Sequence, residues 1–88
     1  MNSRETKKFR SSLRRSIRRG KKIEKLKAVI TSLSKNTLSP ANRDHALKGN
    51  WTGHRECHIE GDWILVYRWE EDLLILVDTG SHADVFGM

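Results

Sequence analysis

The segment RECHIEGDWILVYRWEEDLLILV, residues 55–77, reads as three consecutive strands. Arg55–Ile59 alternates polar and apolar residues, Trp63–Trp69 is apolar and aromatic, and Leu73–Val77 is continuously apolar. Glu60-Gly61 and Glu70-Glu71-Asp72 supply the hairpin turns between them, so the three form an antiparallel meander. Toward the N-terminus the period changes from two to about four. Phe9, Leu13 and Ile17 form one helical stripe, with Thr6 or Ser3 as candidate caps and Gly20 as the stop. Ile23, Leu26, Val29, Ile30 and Leu33 form a second stripe, which closes at Leu38-Ser39-Pro40. Residues 42–50 are polar and irregular, with a turn at Lys48-Gly49-Asn50, and a short tail follows Thr79. A helical hairpin followed by a meander predicts an α+β domain spanning residues 1–88, with the helices on one face of the sheet.

Length and charge narrow the function. With 88 residues the chain is one domain; a domain of this size buries only about 60–65% of its unfolded surface. One cysteine, Cys57, excludes an internal disulfide and suits a reducing compartment. The longest apolar runs fall far short of the roughly 20 residues of a membrane span. The basic N-terminus has no apolar run behind it to make a signal peptide. A cytoplasmic protein is expected. Residues 1–35 hold thirteen Lys/Arg against two Glu, whereas residues 36–88 hold four Lys/Arg against nine Asp/Glu. Such a basic end gathers phosphate without sequence preference, which favours a nucleic-acid partner over a merely solvated helix face.

The acidic half carries His45, His54, His58 and His82, with Asp44, Glu56, Glu60 and Asp62 close by in sequence. A zinc-type site is disfavoured, because Cys57 and His58 are adjacent and point to opposite faces of an alternating strand, and no CxxC pair is present. Two readings remain open on residue types alone. In one, the histidines are ordinary hydrogen-bonded surface groups, which is accepted for His54. In the other they are acid and base for cleavage of RNA through its own 2′-hydroxyl, since imidazole populates both forms near neutrality.

Three ordered blocks go further. Asp44-His45-Ala46-Leu47-Lys48-Gly49, Arg55-Glu56-Cys57-His58-Ile59-Glu60-Gly61-Asp62-Trp63 and Thr79-Gly80-Ser81-His82-Ala83-Asp84-Val85-Phe86 strongly resemble the YafQ-type mRNA-cleaving toxins of the RelE/ParE superfamily. The likeness spans essentially the whole chain. It implies a RelE-like fold, in which a short N-terminal strand precedes the first helix. Residues 1–5 are polar and strand-averse here, so that strand is expected to be frayed or very short. The likeness also implies a type II toxin, a ribosome-dependent endoribonuclease that cuts translated mRNA without a metal or other cofactor. By this likeness His82 is the prime proton-transfer residue and acid, His45 is its counterpart base, and His58 and Asp62 bind and orient. Trp63 and Phe86 are candidates to stack or wedge a base, although aromatics favour strands in any case. Arg55 and Lys48 are candidates for the phosphate. Arg14, Arg15, Arg18, Arg19, Lys21 and Lys22 would hold ribosomal RNA. The implied partners are a cognate antitoxin, the ribosome and mRNA, with DNA reached only through the antitoxin and no membrane. Gly61 stands where relatives commonly have proline, and His54 where they usually have an aromatic. A non-catalytic RNA- or ribosome-binding module fits the composition equally well. A gyrase-poisoning relative would not need the His/Asp set.

Overall fold

The structure is a computed structural model that describes residues 3–87. In chain order it contains β1 (Ser3–Glu5), α1 (Lys7–Arg18), α2 (Ile23–Ser34), β2 (His45–Ala46), β3 (Arg55–Glu60), β4 (Trp63–Glu70), β5 (Leu73–Gly80) and α3 (His82–Phe86). Short 3-10 turns at Pro40–Asn42 and Gly49–Trp51 flank β2. The five strands lie in the order β1-β5-β4-β3-β2. The meander runs antiparallel as read, with Glu56 opposite Val66 and Val66 opposite Asp78.

Three departures have physical reasons. Ser3–Glu5 does form an edge strand, but it pairs parallel to β5, so the sheet is not wholly antiparallel; Met1 and Asn2 lie outside the described residues. An edge strand held by main-chain bonds needs no apolar pattern. Residues 42–50 are not merely irregular, because His45 and Ala46 pair with Glu56 and Arg55. The third strand runs on through Asp78 and Thr79 to Gly80, past the apolar run, because those two polar side chains are buried and bonded internally.

Thr6, rather than Ser3, caps α1: its Oγ1 accepts from the Phe9 N–H at 3.0 Å and donates to the Val77 carbonyl at 2.8 Å. The first helix is thereby tied to the sheet at its start. Phe9 of α1 and Leu26, Val29 and Leu33 of α2 pack on the face carrying Cys57, Trp63, Leu65, Tyr67, Leu74 and Leu76. Ile64, Val66 and Val85 form a smaller core on the opposite face, covered by Leu47, Trp51, Val77 and Phe86. The central strand β4 is thus buried on both sides, which is why its sequence is a continuous apolar run rather than an alternation. Asp78, fully buried, accepts from the Ser12 hydroxyl at 2.6 Å and the Thr79 N–H at 2.9 Å, pinning α1 to β5. Among the described residues no helix is long and apolar enough to cross a membrane.

Candidate active site

Strand alternation places Glu56 and His58 on one face of β3, and Arg55 and Cys57 on the other. On the first face, away from the helical hairpin, β2 lays His45 directly opposite Glu56. The turn after β3 supplies Asp62, and α3 begins with His82. These elements converge on one carboxylate. Glu56 Oε2 lies 3.1 Å from His82 Nε2 and 3.5 Å from Nε2 of both His45 and His58. The Glu56 residue is only 4% exposed, so its charge sits beneath the three rings rather than in water.

The other ring nitrogens set the protonation pattern, inferred from the partner each one faces. His45 Nδ1 lies 2.9 Å from the Arg43 carbonyl, and His58 Nδ1 lies 3.2 Å from the Gly61 carbonyl. A carbonyl only accepts, so in both rings Nδ1 carries the hydrogen and Nε2 is turned to the site. At 3.5 Å those Nε2 atoms are beyond ordinary hydrogen-bond length from Glu56, which leaves them free for another partner. His82 differs. Its Nδ1 faces Asp62 Oδ1 at 2.6 Å, and its Nε2 faces Glu56. A carboxylate at each nitrogen favours the imidazolium form, in which both nitrogens donate. The hydrogen bond that His82 donates to Asp62, and then that to Glu56, raise the His82 pKa against its partial burial. The same bond to His82 holds the Asp62 carboxyl below its ordinary range.

Helix α3 is short, and its start is fixed by side chains. Ser81 Oγ accepts from the Asp84 N–H, and Asp84 Oδ2 accepts from the Ser81 N–H, both at 3.0 Å. This reciprocal capping box fixes the first turn, which carries His82. Arg19, at the C-terminus of α1, closes on the same Asp84 oxygen at 2.7 Å. Gly80 is required just before: its φ is +150°, and a Cβ there would sit 2.9 Å from Asp84 Cβ.

A cavity of about 490 Å³ opens beside the cluster, lined by His45, Leu47, Lys48, Trp51, Glu56, His82 and Phe86. One end is therefore titratable and the other aromatic. One metal-compatible donor set also appears: single ligand atoms of Glu56, His58 and His82 all lie within 4.8 Å of one another. They come from two separate stretches of chain, which a search for closely spaced cysteines and histidines does not find.

The family described as "Bacterial toxin of type II toxin-antitoxin system, YafQ" matches residues 1–87. This chain belongs to the YafQ family. It is 47% identical over 72 residues to the mRNA interferase toxin YafQ of Escherichia coli K12, covering 80% of this chain and 78% of that protein. Among solved structures, a copper-bound mutant toxin from Helicobacter pylori superposes with a TM-score of 0.92 at 39% identity, covering 98% of this chain and 99% of that one. YafQ in the E. coli DinJ-YafQ complex superposes with a TM-score of 0.88 at 36% identity, covering 98% of both chains. The α+β fold with its sheet-packed hairpin is therefore the YafQ fold.

Within that fold His45, His58, His82 and Asp62 meet, and Lys48 and Phe86 line the same cavity. Two other expected placements do not hold. Trp63 is 2% exposed in the helix-side core, with its indole N–H donating to Thr79 Oγ1 at 2.9 Å, so it offers no face to a base. Arg55 projects to the helix side, where it pairs with Asp44 at 3.2 Å while Tyr67 donates to the same Asp44 oxygen at 2.7 Å. It therefore does not face the histidines. The hairpin cations divide. Arg14, Arg18 and Lys22 are exposed, whereas Arg19 is paired with Asp84, Arg15 lies against Gly80, and Lys21 sits 5.9 Å above the Trp63 ring. His54 packs edge-on against Trp51 at 5.3 Å, away from the cluster. Composition did not single out Glu56 or Trp51. Glu56 was findable, because residues 56 and 58 of a strand must share a face.

Proposed function

We propose that this protein is an mRNA interferase, a ribosome-dependent endoribonuclease that inhibits translation by metal-independent acid–base transesterification. What carries the reading is the asymmetry among the imidazoles that meet at Glu56: one lies between two carboxylates, and two turn Nε2 to the same space with Nδ1 on a main-chain carbonyl. His45 is more accessible than His58, with 52% against 16% of its side chain exposed, and it lines the cavity. It takes the 2′-hydroxyl proton as the 2′-oxygen attacks phosphorus. The bond from phosphorus to the 5′ oxygen breaks, and that oxygen receives the His82 Nε2 proton in place of Glu56. A 2′,3′-cyclic phosphate and a 5′-hydroxyl result, and water can open the former to a 3′-phosphate. Asp62 orients His82, His58 flanks it, and Lys48 offers positive charge to the phosphate.

The implied setting is the cytoplasm, with an antitoxin as resting partner, as DinJ is for the E. coli relative. The exposed cations of the hairpin supply the surface for ribosomal RNA phosphates. Copper is found on a H. pylori neighbour, and Glu56, His58 and His82 have the imidazole and carboxylate character such an ion accepts. An ion held there would displace the proton that His82 gives to the leaving oxygen. Added copper should therefore inhibit cleavage, and a chelator should restore it; activity that rises with copper would count against this chemistry.

The deciding experiment adds purified protein to a translating extract and maps the mRNA ends, beside a His82→Ala control. Discrete cuts that fall about 100-fold or more in the control are expected from loss of a general acid. A folded His82→Ala protein that cuts as well as its parent would overturn this chemistry, and a parent that binds ribosomes without producing cuts would leave a non-catalytic ribosome-binding module.

A further inference from the structure

We propose that Trp51 is a specificity-determining residue, forming with Phe86 a stacking corner for the nucleobase next to the cleaved phosphodiester; this rests on the ribonuclease reading above. Trp51 ends the 3-10 turn Gly49–Trp51 and is only partly buried, unlike Trp63. Its ring stands at 89° to Phe86 with centroids 5.4 Å apart, while Phe86 lies at 32° to His82 with centroids 6.0 Å apart. The corner therefore has two perpendicular aromatic walls, one of them running on toward the catalytic imidazolium. A planar base laid on either ring turns its edge to the other, which is how aromatic pairs and base platforms are favoured.

The turn that presents Trp51 is held from both sides. The His54 N–H donates to the Trp51 carbonyl at 2.9 Å, and the Leu47 N–H donates to the His54 carbonyl at 2.9 Å. His54 supports the Trp51 ring from its own position outside the catalytic cluster. A ring fixed in this way selects a base without first losing rotamer freedom.

The occupant follows from continuity with the catalytic groups. His45, Glu56 and His82 line the same cavity as Trp51, Leu47 and Phe86, with Lys48 beside them. Its volume of about 490 Å³ lies within the range of small-ligand pockets, and it is open enough for a chain to enter and leave. A single nucleotide can place its phosphate at the histidines and its base in the corner. An apolar peptide would leave the two imidazoles, Glu56 and Lys48 without a role.

The test compares Trp51→Ala, Trp51→Leu and Trp51→Phe with the parent, with Trp69→Ala as a control at an exposed indole on β4. His82→Ala marks the inactive baseline. Each protein is first melted to establish folding. The leucine variant keeps apolar volume without a flat face, so it serves where the alanine variant does not fold. In the translating extract, Ala and Leu should change which bases flank the cuts and raise KM about tenfold or more, with kcat less affected. Phe and Trp69→Ala should keep the parental pattern. An unchanged distribution of flanking bases in folded Trp51→Ala or Trp51→Leu overturns the proposal, whatever the total yield. Absence of cuts by the parent, or their persistence in His82→Ala, would instead sink the ribonuclease reading itself.

Discussion

His82 has an acceptor at each ring nitrogen, so its proton affinity depends on Asp62 and Glu56 more than on burial. A raised pKa keeps the acid form populated to higher pH, and cleavage should decline on the alkaline side only above the ordinary histidine range. Asp62→Asn removes the first cause of that rise, so the alkaline limb of the kcat profile should move to lower pH. The loss should be larger at pH 8 than at pH 6; an unmoved limb would show that Asp62 does not tune the acid. The stability linkage has a matching sign. The His82 contribution is full below its unfolded pKa of about 6.5 and is lost as pH rises through the folded value. The Asp62 contribution is full above its unfolded value of about 3.9 and is lost as pH falls through the lowered one. Asp62→Asn should therefore lower the melting temperature slightly between about pH 4 and 6.5 and hardly at all near pH 9; both groups are open to solvent, which keeps the effect small. At this scale the sequence, through the family resemblance, made the histidines and Asp62 legible but not the role of Glu56. Position alone could have assigned Glu56, and equally could have removed Arg55, since residues one apart in a strand face opposite ways. Trp63 is the harder case, because an aromatic at a strand start is the same letter whether it stacks on a base or fills a core.

The elements that deliver the site are the ones with the weakest sequence signatures. Two residues make β2 and five make α3, both too short for any periodicity to register. Both helices of the hairpin and all three meander strands were legible, because each buries a patterned face. What fixes α3 is capping chemistry: Ser81, Asp84 and the Arg19 clasp. The main-chain bond from Ser81, followed by Arg19 and the Ser81 hydroxyl, holds the Asp84 carboxyl down at about 2. Removing a cap of this kind costs about 1 kcal/mol, or roughly 4–8 °C in a domain of this size. Ser81→Ala should show that shift on melting, and cleavage should fall more than the melt alone explains, because His82 and Phe86 both ride on this helix. Stability lost with kcat intact would mean that α3 holds its catalytic end without the box. Gly80→Ala should be worse than either, since its Cβ has nowhere to go.

Across the whole molecule, charge is unevenly divided, and the proposed function assigns polyanion capture to the hairpin and chemistry to the histidines. Of the thirteen cations of residues 1–35, all but Arg4 lie on the helical hairpin or its flanking residues; the hairpin packs on one face of the sheet, and Glu56 with its histidines lies on the other. Not all of those cations are available. Arg19 is engaged with Asp84, Lys21 lies over the Trp63 ring, and Arg15 reaches toward Gly80. Arg14, Arg18 and Lys22 are exposed, and under the proposed function they are the candidates for polyanion binding. The two groups should respond differently to reversal. Changing Arg14, Arg18 and Lys22 to Glu should leave the melting temperature within a few degrees of the parent. It should weaken co-sedimentation with ribosomes and flatten the salt dependence by about one unit of slope for each phosphate that is no longer neutralised. Arg19→Glu places a second anion against Asp84, so it should lower thermal stability and kcat together and leave the salt slope nearly unchanged. If the triple reversal instead binds ribosomes with the parental slope, the hairpin is not the capture surface. If Arg19→Glu flattens the slope without destabilising the fold, its pairing with Asp84 gives way to RNA on binding.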